Sequence, residues 1–369
     1  MLRNVKVLDL SRVLAGPLCT MMLGDMGADV LKVERPDGGD ETRGWGPPFT
    51  ENGESAYYLS INRNKLGIAL DLDDAADRAL LEILLAEADV VVENFRPGVL
   101  ARRGIDAASV RARHPGLVWC TIAGFADDPL RPGYDFVVQA ESGWMSITGE
   151  PDGAPMKHGI ALADVLAGKD AAIAILGALV SRASTGEGAT LIVTLSESAE
   201  AALVNVAQNA LVSGATPRRW GNAHANLVPY QLFDAADRTI VIAAGSDAQW
   251  LACARALALG ALADDDALRT NAGRLAHRAR VVDAMRARVR ERPAAEWRQL
   301  LDAAGVPNGV VRSVDEVLAE SGASPDSGMP PSVPGRVRLL PPTLGEHTKL
   351  VRELGWGAFL GVSTGEFRV

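Results

Sequence analysis

Cysteine is scarce in this chain: Cys19, Cys120 and Cys253 stand far apart in 369 residues and share no metal-ligand spacing. A disulfide framework is thereby excluded, and a reducing compartment is expected. Histidine is equally sparse. His114, His158, His224, His277 and His347 are isolated, so no metal site is expected. Aromatic residues make up only 5% of the chain, and the formal net charge is −9. That balance excludes nucleic acid or an anionic membrane as the main partner, so an anionic ligand must be held by local arginine, lysine and backbone amides. The opening MLRNVKVLDL lacks a signal-peptide apolar core, and no apolar run is long enough to span a bilayer, which places the protein in the cytoplasm. Two catalytic signatures are missing as well. SRVLAGP after the first strand offers one glycine where a dinucleotide fingerprint needs three, and no G-x-S-x-G elbow appears.

What the chain does have is a long apolar stretch from Gly159 to Gly188, interrupted by Lys169 and Asp170. Leu166, Ile173 and Val180 recur at seven-residue spacing, with Leu176 and Leu179 on the same face, which predicts a core helix. Ala167, Gly168, Ala171 and Ala172 allow close approach by other elements. Asp164 stands at the start of this helix and reads two ways. An aspartate there caps free amides of the first turn, or it serves as a nucleophilic carboxylate.

Around that helix, strands and helices alternate. Val5–Leu10, a helix begun near Pro17, and Ala28–Glu34 form a β-α-β start. Residues 35–66 make a long arginine-bearing loop, and loops of that length in compact domains are usually functional. Further strands are expected at 67–71, 88–95, 117–124 and 189–195, with helices at 74–87 and 197–211. The fold class is therefore α/β, with a Rossmann-like parallel-sheet large domain over 1–214. Beyond Gly214, a hairpin of Tyr230–Phe233 and Thr239–Ala244 precedes a run of helices, which predicts a smaller α+β domain over 215–320. A Pro/Ser/Gly-rich linker (321–336) leads to a C-terminal segment (337–369) that returns to the large domain.

Several long runs then resemble one family. VLDLSRVLAGPLCTMMLGDMGADVLKVERPDGGDETRGWGPPF, NRNKLGIALDL, ADVVVENFRPGVLARRGID and RPGYDFVVQAESGWMSITGEPDGAPMKHGIALADVLAG are similar to the family III CoA-transferases, the CaiB/BaiF family of formyl-CoA and carnitine CoA-transferases. GNAHANLVPYQLF, GSDAQW, AGVPNGVV and PPTLGEHT extend the likeness almost to the C-terminus. The resemblance implies that Asp164 is the nucleophile. It implies that CoA contacts fall on Val13, Leu14, Ala15, Arg35, Leu70, Asp71, Leu72, Asp73, Asn94, Phe95 and Arg102. Trp45, Tyr134 and Asp135 match positions lining the reacting centre, and Gly245 and Ser246 match a mobile loop that covers it. Leu14 replaces the glutamine of the oxalate-using branch, and the loop before Gln249 has one glycine, which argues against oxalate as acceptor. Residues 321–342 look short for the family.

The implied activity moves CoA from an acyl-CoA, with succinyl-CoA or another dicarboxylyl-CoA suggested by GYDFVVQAESGWMSITGEPDG, to a free acid. It proceeds through aspartyl anhydride and aspartyl-CoA, with CoA as substrate, no tightly bound cofactor, and an interlocked-ring homodimer. Two rivals follow from the same likeness. An α-methylacyl-CoA racemase needs an acid/base pair, and this chain has Gly133-Tyr134-Asp135 where related racemases carry a histidine. A tyrosine with a reference pKa of about 10 is a poor two-way base. A non-catalytic CoA-binding protein would have no use for Asp164.

Overall fold

The structure, a computed structural model, describes residues 1–362; the last seven positions of the expected returning segment lie outside the described residues. The chain divides into two compact units. The first comprises 1–145, 157–214 and 318 onward, and the second comprises 146–156 and 215–317. Residues 146–156 pack with the second unit because the Arg219 guanidinium donates to the carbonyls of Glu150 and Gly153.

The first unit is built on six parallel strands: β1 (Lys6–Asp9), β2 (Asp29–Glu34), β3 (Lys65–Ala69), β4 (Val90–Glu93), β5 (Val118–Ala123) and β6 (Thr190–Thr194). Their order is β3-β2-β1-β4-β5-β6. Near-continuous apolar runs such as Val90–Val92 suit strands covered on both faces. Seven helices connect the first six strands: α1 (Ala15–Asp25), α2 (Ala56–Leu59), α3 (Ala75–Glu87), α4 (Ala107–Arg113), α5 (Asp135–Glu141), α6 (Trp144–Ile147) and α7 (Leu162–Thr185). Local chemistry sets their ends. Asp74 caps α3 by accepting from the amides of Ala76 and Asp77, and Gly186 in the left-handed region (φ 75°) closes α7. One sheet face buries Leu81, Leu84 and Leu85 of α3 with Leu8, Leu31 and Trp119; the other buries α1 and α7 against Val7, Val90 and Cys120.

Three expectations change. The face that α7 buries is Ala163, Ala167, Gly168, Ala171, Ala172 and Ile175, whereas Ile173 and Val180 of the seven-residue stripe are 66% and 75% exposed. Small residues win because they permit the closest approach: a β-carbon at Gly168 would lie 2.6 Å from the Ala15 carbonyl oxygen. The single helix expected at 197–211 is two, α8 (Leu195–Ala201) and α9 (Val204–Ser213), with Val206 donating to Leu203 O at the break. No glycine or proline in AALVNVA marks that break. In the second unit the hairpin β7 (Tyr230–Asp234) and β8 (Thr239–Ala243) gains a third strand, β9 (Asn308–Val310). At three residues following a proline, β9 is too short to display alternation. Its core holds Trp250, Trp297 and Met285, and helix α10 (Asp247–Ala256) starts at Ser246. Among the described residues no helix is long and apolar enough to cross a membrane.

Candidate active site

The strand order reverses between β1 and β4, and open α/β sheets bind ligands at the carboxyl edge of such a point. The chain is fixed there by a reciprocal pair of hydrogen bonds. Arg12 N–H donates to Asn94 Oδ1 (2.9 Å), and Asn94 Nδ2 donates to Arg12 O (2.7 Å). Val13, next in line, adopts φ 70°. A β-branched residue resists that conformation, and such strain persists only where the surroundings impose it. Here the Asp40 carboxylate accepts from Val13 N–H (3.3 Å to each oxygen) and is itself buried against Lys32 Nζ (3.1 Å). Below the turn, buried Asp9 accepts from Thr20, Ser11 and Lys65. Burial would raise its pKa, but Lys65 and Lys32 outweigh that and hold it down at about 2. A buried ionic lattice thus sets the shape of the Arg12–Ala15 loop.

Two of the cavities on this edge adjoin each other. One, of 380 Å³, is walled by the residues leaving four strands: Arg12–Ala15, Asn94–Arg96, Ile122–Gly124 and Leu195, with Tyr134 and Asp164. The other, of 290 Å³, is walled by the ends of β1, β2 and β3, including Arg35 and Leu70–Asp73, and by Arg103. Arg12 and Phe95 belong to both walls.

Asp164 is in the first turn of α7 but does not cap it. The residue before the helix, Ala161, provides no side-chain bond; Asp135 supplies it instead, its Oδ1 accepting from Ala163 N (2.8 Å) and Asp164 N (3.4 Å). Gln139 holds Asp135 through Nε2 to Oδ2 (2.6 Å). A helix N-terminus ordinarily favours a carboxylate. At Asp164, burial followed by the negative charge of Asp135 overrides that preference and pushes the pKa up to about 7. Tyr57 of α2 feels the same field, its phenol raised to about 12 by burial and then by Asp164 and Asp135. Trp45, 40% exposed, meets Tyr57 edge-on with ring centroids 5.1 Å apart.

Of the residues expected at the site, Val13, Leu14, Ala15, Asn94, Phe95, Tyr134 and Asp164 share the larger cavity. Arg35, Leu70, Asp71, Leu72 and Asp73 share the smaller one with Phe95. Arg102 is exposed and lines neither; its neighbour Arg103 does, with its guanidinium on Asp73 (2.8 and 2.9 Å). Trp45 reaches the site region through Tyr57, and Asp135 acts from beneath it. Gly245 and Ser246 belong to the second unit, where Ser246 Oγ caps α10 by accepting from Gln249 N–H. Sequence reading missed Arg12, Glu41, Tyr57 and Arg103. The resemblance singled out Val13 and Arg102, next to Arg12 and Arg103, and nothing in composition or spacing separates Arg102 from Arg103; Glu41 and Tyr57 lie in the long loop with no motif to mark them.

The arrangement is a desolvated carboxylate at the end of a cavity that adjoins an arginine-bearing second cavity. The sequence matches the description of CoA-transferase family III over residues 2–348. The chain belongs to that family. The succinate–glutarate CoA-transferase of Agrobacterium fabrum is 42% identical over 332 residues, covering 86% of this chain and 82% of that protein. The succinyl-CoA:glutarate CoA-transferase of Mus musculus is 40% identical over 370 residues, covering 94% and 85%. A CaiB/BaiF family protein from Brucella suis has a solved structure that matches with a TM-score of 0.83 at 38% identity, covering 95% of this chain and 98% of that one. This family III CoA-transferase therefore acts on CoA thioesters as substrates, and its parallel sheet carries the cavities at the edge where open α/β sheets bind ligands.

Proposed function

We propose that the enzyme moves CoA from a dicarboxylyl-CoA such as succinyl-CoA to a free dicarboxylic acid such as glutarate, with Asp164 as covalent carrier. The observation that carries this is the position of Asp164, buried beside Asp135 in the same cavity as the Val13–Ala15 loop. The names of the relatives above suggest the acids.

Asp164 Oδ attacks the donor thioester carbonyl; the C–S bond breaks, CoA leaves as thiolate, and a mixed aspartyl–acyl anhydride remains. The thiolate then attacks the aspartyl carbonyl and displaces the donor acid as its carboxylate, giving aspartyl-CoA. The acceptor carboxylate attacks that thioester, expels the thiolate and forms a second anhydride. Attack of the thiolate on the acceptor's acyl carbon yields the new acyl-CoA and restores Asp164. A carboxylate stripped of part of its hydration and held in place gains nucleophilicity and effective molarity. Its acylation also removes the charge that Asp135 opposes. Arg35 and the Leu70–Asp73 turn serve the nucleotide end of CoA, and Arg102 completes that set from the rim.

The active form in this reading is an interlocked homodimer in the cytoplasm. Ile173 and Val180 on α7, with Leu211 and Val212 on α9, are 66–78% exposed in the single chain, and a second copy is the natural cover for them. The test is covalent trapping: incubation with succinyl-CoA, quenching with hydroxylamine or borohydride, and peptide mapping. Modification belongs on Asp164 and disappears in Asp164→Asn. A wild-type enzyme that turns over without any adduct there overturns the mechanism.

A further inference from the structure

We propose that Arg12 is the specificity residue for dicarboxylic acids, leaving Glu41 to take the distal carboxylate of an acid whose other carboxylate reacts at Asp164. The inference rests on the dicarboxylate reading above and assigns that recognition to one side chain.

Three guanidinium groups line the Asp164 cavity: Arg12, Arg96 and Arg131. Arg131 is committed, since both of its terminal nitrogens donate to Glu141 and its Cζ lies 4.2 Å from the Phe125 ring centroid. Arg96 is exposed, where water screens its charge. Arg12 differs from both. Its guanidinium rests over Phe95 at 5.0 Å, and its Nη1 meets Glu41 Oε1. That contact uses one donor of a fork and one oxygen of a carboxylate. Arg12 Nε and Glu41 Oε2 are both closed off from solvent and without a hydrogen-bond partner.

An arginine and a carboxylate that join by one bond, each with a second polar atom left orphaned, form an incomplete pair. Buried polar atoms without partners are costly, so this closed state is poised to exchange. A substrate carboxylate offers what Glu41 does not: two oxygens free to meet Nε–H and an Nη–H side-on. The backbone beneath Arg12 cannot drift in response, because Asn94 holds its N–H and C=O and Asp40 holds the next amide. A monocarboxylic acid leaves Arg12 on Glu41 and gains nothing.

The experiment compares glutarate with valerate as acceptors at saturating succinyl-CoA, for the wild type, Arg12→Gln, Arg12→Lys, Arg96→Gln and Glu41→Gln. The readout is the ratio of kcat/KM for the diacid to that for the monoacid. Arg12→Gln is expected to lower the ratio by roughly 10- to 100-fold, the scale of one charge-assisted contact. Arg12→Lys keeps the charge without the fork and falls in between; it also serves if the glutamine variant does not fold. Arg96→Gln leaves the ratio within about threefold, as an exposed charge should. Glu41→Gln removes the competitor, so the KM for glutarate drops, a gain that structural damage does not produce. A ratio unchanged in Arg12→Gln, or one that collapses in Arg96→Gln instead, overturns the proposal alone. A wild type that accepts both acids equally refutes the dicarboxylate reading and this proposal together.

Discussion

Replacing the proposed nucleophile should make the protein more stable, and the gain should depend on pH in a defined direction. The folded chain holds the Asp164 proton up to about pH 7, whereas an unstructured aspartate releases it near 3.8. Folding therefore loses stability as pH rises between those values, because the unfolded state ionises first. At 1.36 kcal/mol per pH unit the full gap amounts to roughly 4 kcal/mol, and partial access to the cavity reduces this to about 2–4 kcal/mol. Asp164→Asn keeps the shape and removes the ionisation. The variant should match the wild type near pH 4 and exceed it by that amount at pH 8, read as urea midpoint or Tm in the absence of substrate. A capping role gives no such gain, because asparagine caps a helix about as well as aspartate. Equal or lower stability of Asp164→Asn at pH 8 would refute the argument that burial and Asp135 strain this carboxylate. Turnover should meanwhile fall at least ~10³-fold, equivalent to about 4 kcal/mol of transition-state stabilisation.

Gly168→Val should displace α7 from the Ala15 carbonyl and cost about 1–3 kcal/mol, with a fall in kcat larger than the stability loss accounts for, checked by melts alongside initial rates. Asp40→Ala strands the buried Lys32 ammonium and releases the Val13 amide; a loss of about 3–5 kcal/mol is expected in urea unfolding. Arg35→Ala, Arg102→Ala and Arg103→Ala should raise KM for the CoA donor with kcat little changed, since nucleotide contacts are the same in ground and transition states. Ile173→Lys combined with Val180→Lys should weaken self-association in sedimentation runs, and a dimer of undiminished affinity would show that this face is not covered by a second copy.

The parallel sheet was legible because six apolar strands are separated by well-punctuated helices, with Asp74 and Gly186 at ends where chemistry dictates them. Asp164 was legible as a carboxylate at the start of a long helix. Its strain was not, because the charge opposing it, Asp135, lies 29 positions away and is brought near only by folding. The stripe of Ile173 and Val180 misled for a related reason. Seven-residue spacing shows that one face is apolar, but a neighbouring face of alanine and glycine fits closer to α1 and is the one buried. Arg12 carries no motif of its own; its importance comes from a half-made ion pair that only side-chain geometry displays.

The reciprocal bonds between Arg12 and Asn94 divide the labour of the sheet. On one side of that stitch, the ends of β2 and β3 carry the smaller cavity; on the other, the ends of β5 and β6 close the larger. A scaffold arranged in this way can change one cavity while keeping the other. On the proposed reading, substitutions around Ile122–Gly124 or Leu195 reshape the cavity that takes the acyl group, from strands that never touch the Arg35 and Asp71 wall. An engineer seeking a new acceptor should therefore randomise the β5 and β6 edge, leave the first three strand ends intact, and treat Arg12 and Phe95 as the two positions where a change on one side is felt on the other.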